Sequence, residues 1–197
     1  MNDFEAALLA IANNLKQLDL EFALVGGFAV GLRTEPRFTQ DLDLAVSVAD
    51  DLQAEQATMS LVSRGYSLLA MVEQDSVERL ATVRLISPQT KIVVDLLFAS
   101  SGIEPEIVEE AEDLDFTETL ALPVAQVGHL IAMKTLSQDG SRRPQDRLDL
   151  SNLLKRCPKE QIELARISVR KIQERGFHRG KELEGLLKAM IEEFVIE

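Results

Sequence analysis

Three aspartates in strand-like segments are the residues whose type and spacing could do chemistry. Asp41 and Asp43 alternate with leucines in "QDLDLAV", a pattern typical of a β-strand. Side chains two residues apart on a strand point to the same side, about 6–7 Å apart along the chain. Asp95 lies in "IVVDLLF", with three apolar residues on each side. A lone Asp-x-Asp is more simply interpreted as the solvent-exposed face of an amphipathic strand. Asp95 does not fit that interpretation, and it is therefore the residue that favours a functional site.

A carboxylate within an apolar strand needs a partner. An unpaired, ionised Asp95 would be costly to bury, so it requires water or a cation. If its strand lies near Asp41 and Asp43, three like charges meet, and a divalent metal is the usual compensation. Oxygen ligands without nearby histidine or cysteine favour Mg²⁺ or Mn²⁺ over zinc. Because such an ion completes its shell with water and substrate phosphates, the three aspartates predict a metal site and a phosphate-bearing substrate.

Two glycines precede the aspartates. Gly26 and Gly27 follow the apolar run "FALV" and precede "FAVGLR", which we interpret as a strand followed by a helix. Glycine lets the backbone approach a ligand closely, and a helix N-terminus offers amide hydrogens to an anion. On its own the pair is usually only turn geometry. Together with the aspartates it predicts a turn that cradles phosphates.

These motifs occur in a known order. "GGFAVGLRTEPRFTQDLDL" resembles the signature of the polymerase-beta-type nucleotidyltransferase superfamily, in which a third aspartate follows on a later strand. With Arg37 and Thr39 ahead of the carboxylates, it is similar to the AbiEii-like nucleotidyltransferases, a group that includes toxins of bacterial toxin–antitoxin systems. A second block, "LIAMKTLSQDGSRRPQDRLDLSNLL", is similar to the pattern of that subgroup at four residues, namely Lys134, Arg143, Asp146 and Asp149.

The resemblance implies transfer of a nucleoside monophosphate from an NTP to an acceptor hydroxyl, with release of pyrophosphate. It implies that Asp41 and Asp43 hold two divalent ions, and that Asp95 binds the second ion and can take the acceptor proton. Lys134 and Arg143 are the expected triphosphate contacts, and Asp146 and Asp149 are expected to orient them or to contact nucleotide. An interpretation of the two acids as helix-cap and surface acids fits nearly as well. The residues expected to contact nucleotide are Gly26, Gly27, Arg37, Thr39, Lys134, Arg143, Asp146 and Asp149.

The sequence departs from the family pattern at three places. Gly27 stands where a serine often contacts phosphate, and Gln145 stands where many members carry a basic residue. The insertion 34–36 places Glu35 near the expected phosphate site. These departures bear on the substrate more than on the fold.

The order of predicted elements indicates an α/β (α+β) fold in two parts. Residues 1–122 are expected to form a nucleotidyltransferase core, a mixed β-sheet flanked by helices, in which "FTETLAL" is an edge strand that ends before Pro123. Residues 123–197 show only helical patterns and are expected to form a C-terminal helical bundle. Asp3 is the expected N-cap of the first helix. His129 is expected to pack at the boundary between the two parts of the chain rather than to act as a catalytic base.

Composition excludes several classes of protein. The 33 acidic residues against 21 basic ones give a net charge of −12, which argues against a partner such as duplex DNA. Apolar runs fall short of the roughly 20 residues of a membrane helix, and no basic and apolar leader is visible, so a cytoplasmic protein is expected. The single cysteine, Cys157, excludes an internal disulfide and a thiolate metal cluster.

Several alternatives stay open at this point. The acceptor could be RNA, a protein or a small molecule, and the base of the NTP is undetermined. A cognate antitoxin is a possible partner. The rival hypotheses are a non-catalytic nucleotide-binding or protein-interaction module of the same fold, and a small-molecule adenylyltransferase that modifies an antibiotic.

Overall fold

The structure is a computed structural model that describes residues 2–36, 39–74, 77–117, 120–139, 144–155 and 157–195. Within these ranges it contains eight helices and one seven-stranded mixed sheet, which confirms the predicted fold class. The strands are β1 (Phe22–Val25), β2 (Asp41–Val46), β3 (Ser67–Gln74), β4 (Arg79–Ile86), β5 (Val93–Leu97), β6 (Glu112–Thr117) and β7 (Leu120–Val124). The helices are α1 (Asp3–Gln17), α2 (Gly26–Arg33), α3 (Asp51–Ser63), α4 (Glu104–Glu109), α5 (Val127–Ser137), α6 (Pro144–Leu154), α7 (Lys159–Glu174) and α8 (Leu183–Phe194).

The sheet has the strand order β3-β4-β5-β2-β1-β7-β6. Strand β2 is parallel to β5 and β1 is parallel to β7, whereas the other neighbours are antiparallel. All four residues of β1 are buried. The strands that carry the aspartates, β2 and β5, therefore lie next to each other in the middle of the sheet.

Strand β3 forms one edge of the sheet and is solvent-exposed over seven of its eight residues. Its apolar side chains include Leu68, Leu69, Met71 and Val72, each between 44% and 53% exposed. Adjacent residues of a strand point to opposite faces, so both faces of this edge are apolar.

The N-cap of helix α1 lies one residue before the expected cap. Asn2 rather than Asp3 is the N-cap: its side chain accepts the Glu5 N–H at 2.8 Å, and the Glu5 carboxylate accepts the Asn2 N–H at 3.0 Å. This reciprocal pair is a capping box. Asp3 is instead the first residue of the helix.

The expectation of a single edge strand at "FTETLAL" is wrong. This region contains parts of two strands, β6 and β7, which pair as an antiparallel hairpin, and Pro123 lies inside β7 opposite Asp113. Proline lacks the N–H that a ladder needs. The pairing of β7 with β1 is restricted to Leu24 and Val124, one residue beyond the proline, so β7 tolerates it.

The helical segments after β7 follow the predicted order, and they pack back onto the first part of the chain. Helix α2 contacts both α5 and α6, and α5 packs along α7. None of the helices in the described ranges is long and apolar enough to cross a membrane.

Candidate active site

Strand pairing brings the three predicted aspartates together. Strand β2 runs parallel to β5 with Asp43 opposite Asp95 and Asp41 opposite Val93. Opposed residues on neighbouring strands point to the same side of a sheet, as do residues two apart on one strand. Asp41, Asp43 and Asp95 therefore share one face, although 51 residues lie between Asp43 and Asp95 in the sequence.

A cavity of about 630 Å³ opens over this face. The three aspartates line it together with Gly26 from α2 and Arg84 from β4. Its other charged or hydroxyl side chains are contributed by β4, by the loop after β5 and by the C-terminal helical part: Thr82, Ser100, Ser101, Lys134, Ser137, Asp146 and Arg179. The two blocks of the sequence that carry the family resemblance thus meet in one cavity.

The glycine pair lies against Asp43. Gly26 has φ +66°, and a Cβ atom at this position would overlap the Asp43 carboxylate. The backbone N–H of Gly27 donates a hydrogen bond to the same side chain. The turn therefore makes room for Asp43 and orients it, and its contact with phosphate remains a prediction.

The surroundings of Asp43 disfavour its ionised form. Burial raises the pKa of Asp43 to about 6, and the negative charges of Asp95 and Asp41 act in the same direction. Lys134 and the N–H of Gly27 lower this pKa, but they do not compensate fully. A cation near Asp43 would favour its ionised form.

Arg84 was missed by sequence reasoning. It lies on β4 directly opposite Asp95, and its Nε and Nη2 donate to the two Asp95 oxygens at 2.8 and 2.6 Å. Asp95 is 6% exposed, so the cation that its apolar strand requires is supplied by an arginine. The turn "SPQT" indicates that the two strands are neighbours, but counting outward from it would pair Arg84 with Val93. The observed register places Ile86 opposite Val93 and Arg84 opposite Asp95, and alternation alone does not define this register.

Lys134 lies between two acids of the second block. Its Nζ is 2.7 Å from Oδ1 of Asp146 and 2.9 Å from Oδ2 of Asp149. Asp149 is fully buried and Asp146 is 7% exposed, so neither is the surface acid that the alternative interpretation required. Ser137 also donates to Asp146, at 2.9 Å. The two acids thus orient the lysine whose side chain reaches the cavity.

The remaining predicted contacts divide into two groups. Thr39 donates from its hydroxyl to the Asp41 carbonyl at 3.3 Å, next to the start of β2. Arg37 and Arg143, both predicted to bind nucleotide, lie outside the described residues.

The donor set fits a hard cation at Asp41 and Asp43, which are carboxylates on one face beside an anionic neighbour. Over the described part of the chain, no group of three or more acidic, histidine or cysteine side chains is arranged to hold a metal ion. Both oxygens of Asp95 accept hydrogen bonds from Arg84. The side chain of Asp41 is 44% exposed, with Nη2 of Arg84 at 3.9 Å, beyond hydrogen-bonding distance.

Comparison with solved structures finds the same fold in two proteins of low sequence identity, and a third protein matches with a lower TM-score. An antigenic nucleotidyltransferase-like protein from Paracoccidioides brasiliensis is 18% identical with a TM-score of 0.50, over 95% of this chain and 92% of that chain. The antibiotic-resistance factor ANT(2'')-Ia is 15% identical with a TM-score of 0.50, over 98% of this chain and 95% of that chain. The nucleotidyltransferase toxin MenT4 from Mycobacterium tuberculosis H37Rv is 21% identical with a TM-score of 0.44, over 84% and 65% of the two chains.

Comparison with curated proteins finds no match. A family model does match, over residues 7–195, and its description is nucleotidyl transferase AbiEii toxin, type IV TA system. The match includes both blocks that meet at the cavity and confirms the resemblance seen in the sequence. The chain therefore belongs to the AbiEii nucleotidyl transferase toxin family and is a nucleotidyltransferase.

Proposed function

We propose that the cavity transfers a nucleoside monophosphate from an NTP to an acceptor hydroxyl, with Asp41 and Asp43 holding a divalent cation. The observation that supports this best is the shared face of Asp41, Asp43 and Asp95, to which the Gly26 turn and Lys134 also contribute. Mg²⁺ or Mn²⁺, when bound, would neutralise the phosphates and lower the pKa of the attacking hydroxyl.

The reaction balances as a displacement at phosphorus. The acceptor oxygen forms a bond to the α-phosphorus of the NTP, the bond to the β-phosphate oxygen breaks, and pyrophosphate leaves. The hydroxyl proton passes to a carboxylate of the site, for which Asp95 is our candidate. Arg84 holds Asp95 by two hydrogen bonds. The Asp95 carboxylate is therefore already oriented to take the proton before substrate binds.

Lys134 is our candidate for contact with the triphosphate. An ammonium group has three donors, and two of them point to Asp146 and Asp149. The third can reach a phosphate oxygen in the cavity that Lys134 lines. We propose that Gly26, Gly27, Arg37, Thr39 and Arg143 complete the nucleotide site, with residues 1–122 as the catalytic core and residues 123–197 as the part that supplies Lys134.

We propose the chemical class of the acceptor and the kind of biological partner. The acceptor carries a hydroxyl on RNA, a protein or a small molecule. The family match supports a toxin whose activity in the cell is opposed by a cognate antitoxin. A non-catalytic module would not need the three carboxylates beside one another, so their grouping favours turnover.

The test is incubation with each NTP labelled at the α-phosphate, in Mg²⁺ or Mn²⁺, with total RNA and total protein as acceptors. We expect label on one acceptor class and loss of labelling in Asp41→Asn and Asp43→Asn. Asp113→Asn is the matched control, because Asp113 is an exposed acid on the distant edge strand β6. Labelling that persists in both active-site variants would refute the proposal.

A further inference from the structure

Arg84 and Asp95 form a two-point ion pair inside the site. They are opposed residues of the antiparallel strands β4 and β5, and the guanidinium reaches both carboxylate oxygens, at 2.8 and 2.6 Å. Paired hydrogen bonds between arginine and a carboxylate are among the strongest in proteins. The pKa of Arg84 is raised, chiefly by this hydrogen bond and also by the charges of Asp95, Asp41 and Asp43, so the arginine stays positively charged.

The same guanidinium affects the other carboxylates. Its Nη2 lies 3.9 Å from Oδ2 of Asp41, and the charge of Asp43 contributes to the raised pKa of Arg84. A fixed positive charge amid three carboxylates reduces the attraction of the cluster for any second cation. A divalent ion at Asp95 would also have to share or displace hydrogen bonds to both oxygens.

Arg84 is free to move without opening the core. Its side chain is 47% exposed, whereas that of Asp95 is 8% exposed, and both line the cavity. The arginine can therefore leave Asp95 by turning into solvent or toward an anion in the cavity.

We propose that Arg84 competes with divalent cations for Asp95 and so limits how tightly, and in what number, the three carboxylates bind metal. Asp41 and Asp43 then hold one divalent cation, and a second cation at Asp95 requires Arg84 to turn away. Arg84 is a positioning residue that acts through Asp95. This inference rests on the proposed function only in that Asp41 and Asp43 bind a divalent cation.

The experiment is a titration of the full chain with Mn²⁺ in the absence of nucleotide, by calorimetry and by electron paramagnetic resonance of the free ion. We expect Arg84→Gln to bind Mn²⁺ at least about tenfold more tightly than the unmodified chain, because one unit of opposing charge is removed. We also expect the stoichiometry to rise from one ion toward two.

Arg79→Gln is the matched control. Arg79 lies on the same strand and pairs with Asp51 at 2.7 Å, so its loss removes an equal charge and an arginine–aspartate pair from another place. Its Mn²⁺ binding should match that of the unmodified chain. The double variant Arg84→Gln with Asp95→Asn should lose the gain, because the carboxylate that the arginine releases is absent.

Arg84→Lys is a conservative variant that controls for misfolding, since lysine keeps the positive charge but cannot make the two-point pair. Its Mn²⁺ affinity should lie between those of the unmodified chain and Arg84→Gln. Equal Mn²⁺ affinity and stoichiometry in the unmodified chain, Arg84→Gln and Arg84→Lys would overturn the inference. If Asp41→Asn abolishes Mn²⁺ binding in that case, the proposed metal site stands while the role of Arg84 falls. Absence of Mn²⁺ binding in every variant overturns both.

Discussion

Asp43 is held by contacts with residues of α2 and of β5. The N–H of Gly27 holds it from one side, Asp95 faces it from the next strand, and Gly26 leaves the space that it occupies. A small change at Gly26 should therefore displace the Asp43 carboxylate and lower the rate of nucleotide transfer.

We predict that Gly26→Ala lowers nucleotide transfer about 100-fold, because small displacements of reacting groups have effects of this size. The new methyl group would overlap the Asp43 carboxylate. Gly180→Ala is the control: Gly180 also has a positive φ, +73°, but nothing lies within 4 Å of the added atom. Both variants should lose about 1–2 kcal/mol of stability from the left-handed backbone, measured by urea unfolding, but only Gly26→Ala should lose activity. Equal activity of the two would contradict the steric role of Gly26.

His129 gives a prediction about acid stability. It is 1% exposed, its Nδ1 has no hydrogen-bond partner among the residues that the structure describes, and burial lowers its pKa from 6.5 to about 4. Glu106 opposes this shift and Lys171 adds to it, and Glu110 lies 3.6 Å from Nε2. Because the unfolded chain binds the proton more readily, the contribution of neutral His129 to stability is complete above about pH 6.5 and is lost as the pH falls toward 4.

We therefore expect the free energy of unfolding to fall by about 2–3 kcal/mol more between pH 7 and pH 4 in the unmodified chain than in His129→Leu. Chemical denaturation at a series of pH values measures this difference. A parallel pH dependence in His129→Leu would show that other groups control the acid response.

At the scale of elements, the contact between α5 and α7 decides where Lys134 lies. A Cβ atom at Gly128 on α5 would meet the Gln161 carbonyl oxygen at 2.6 Å and the Leu164 Cβ at 2.7 Å on α7. The two helices approach this closely only because position 128 is a glycine. The cavity side of α5 carries Lys134, so separation of the helices would move the lysine.

We predict that Gly128→Ala destabilises the chain by about 1–3 kcal/mol through overpacking, although alanine is the better helix former by about 1 kcal/mol. Gly185→Ala is the control, because the added atom there meets only the end of the Glu182 side chain. That carboxylate can move away, and the loss of its cap hydrogen bond to the Gly185 N–H is offset by the better helix propensity of alanine. Thermal unfolding should show a clear loss for Gly128→Ala and a small change for Gly185→Ala. Similar melting temperatures for both variants would mean that the helix contact adapts freely.

The elements also show what the sequence could predict. Alternation at Asp41 and Asp43 and the apolar setting of Asp95 place these residues on strands, and both properties are local. The pairing of Arg84 with Asp95 was not predicted, because it depends on the register between the two strands of a hairpin. The β6–β7 hairpin was not predicted, because Pro123 was interpreted as the end of a strand. In the structure β7 continues past Pro123 and pairs with β1 at Val124. Burial of Asp146 and Asp149 depends on how α5 and α6 pack, which no local pattern reveals.

At the scale of the whole molecule, the net charge of −12 governs which large partners can approach. Duplex DNA carries a dense negative charge and attracts proteins through basic surfaces. The positive side chains of the cavity are already paired in part with acids, as with Arg84 and Lys134. The field around the molecule should therefore repel a duplex.

We predict no saturable binding of a labelled DNA duplex in fluorescence anisotropy up to about 10 µM protein at physiological salt, where nonspecific DNA-binding proteins often show dissociation constants of about 10⁻⁴–10⁻⁶ M. A basic DNA-binding protein serves as the positive control. Binding that weakens steeply as salt is raised would contradict this prediction.

The exposed apolar edge formed by β3 has a consequence for handling the protein. Unpaired strand edges with apolar side chains promote association between copies, and like charges on the copies oppose it. Here 33 acidic residues supply that repulsion, and they lose it as they are protonated. Acidification should therefore cause turbidity that depends on protein concentration. The turbidity should be delayed in Met71→Lys, because Met71 is an exposed edge residue outside the lining of the cavity and lysine on an edge strand blocks pairing between copies.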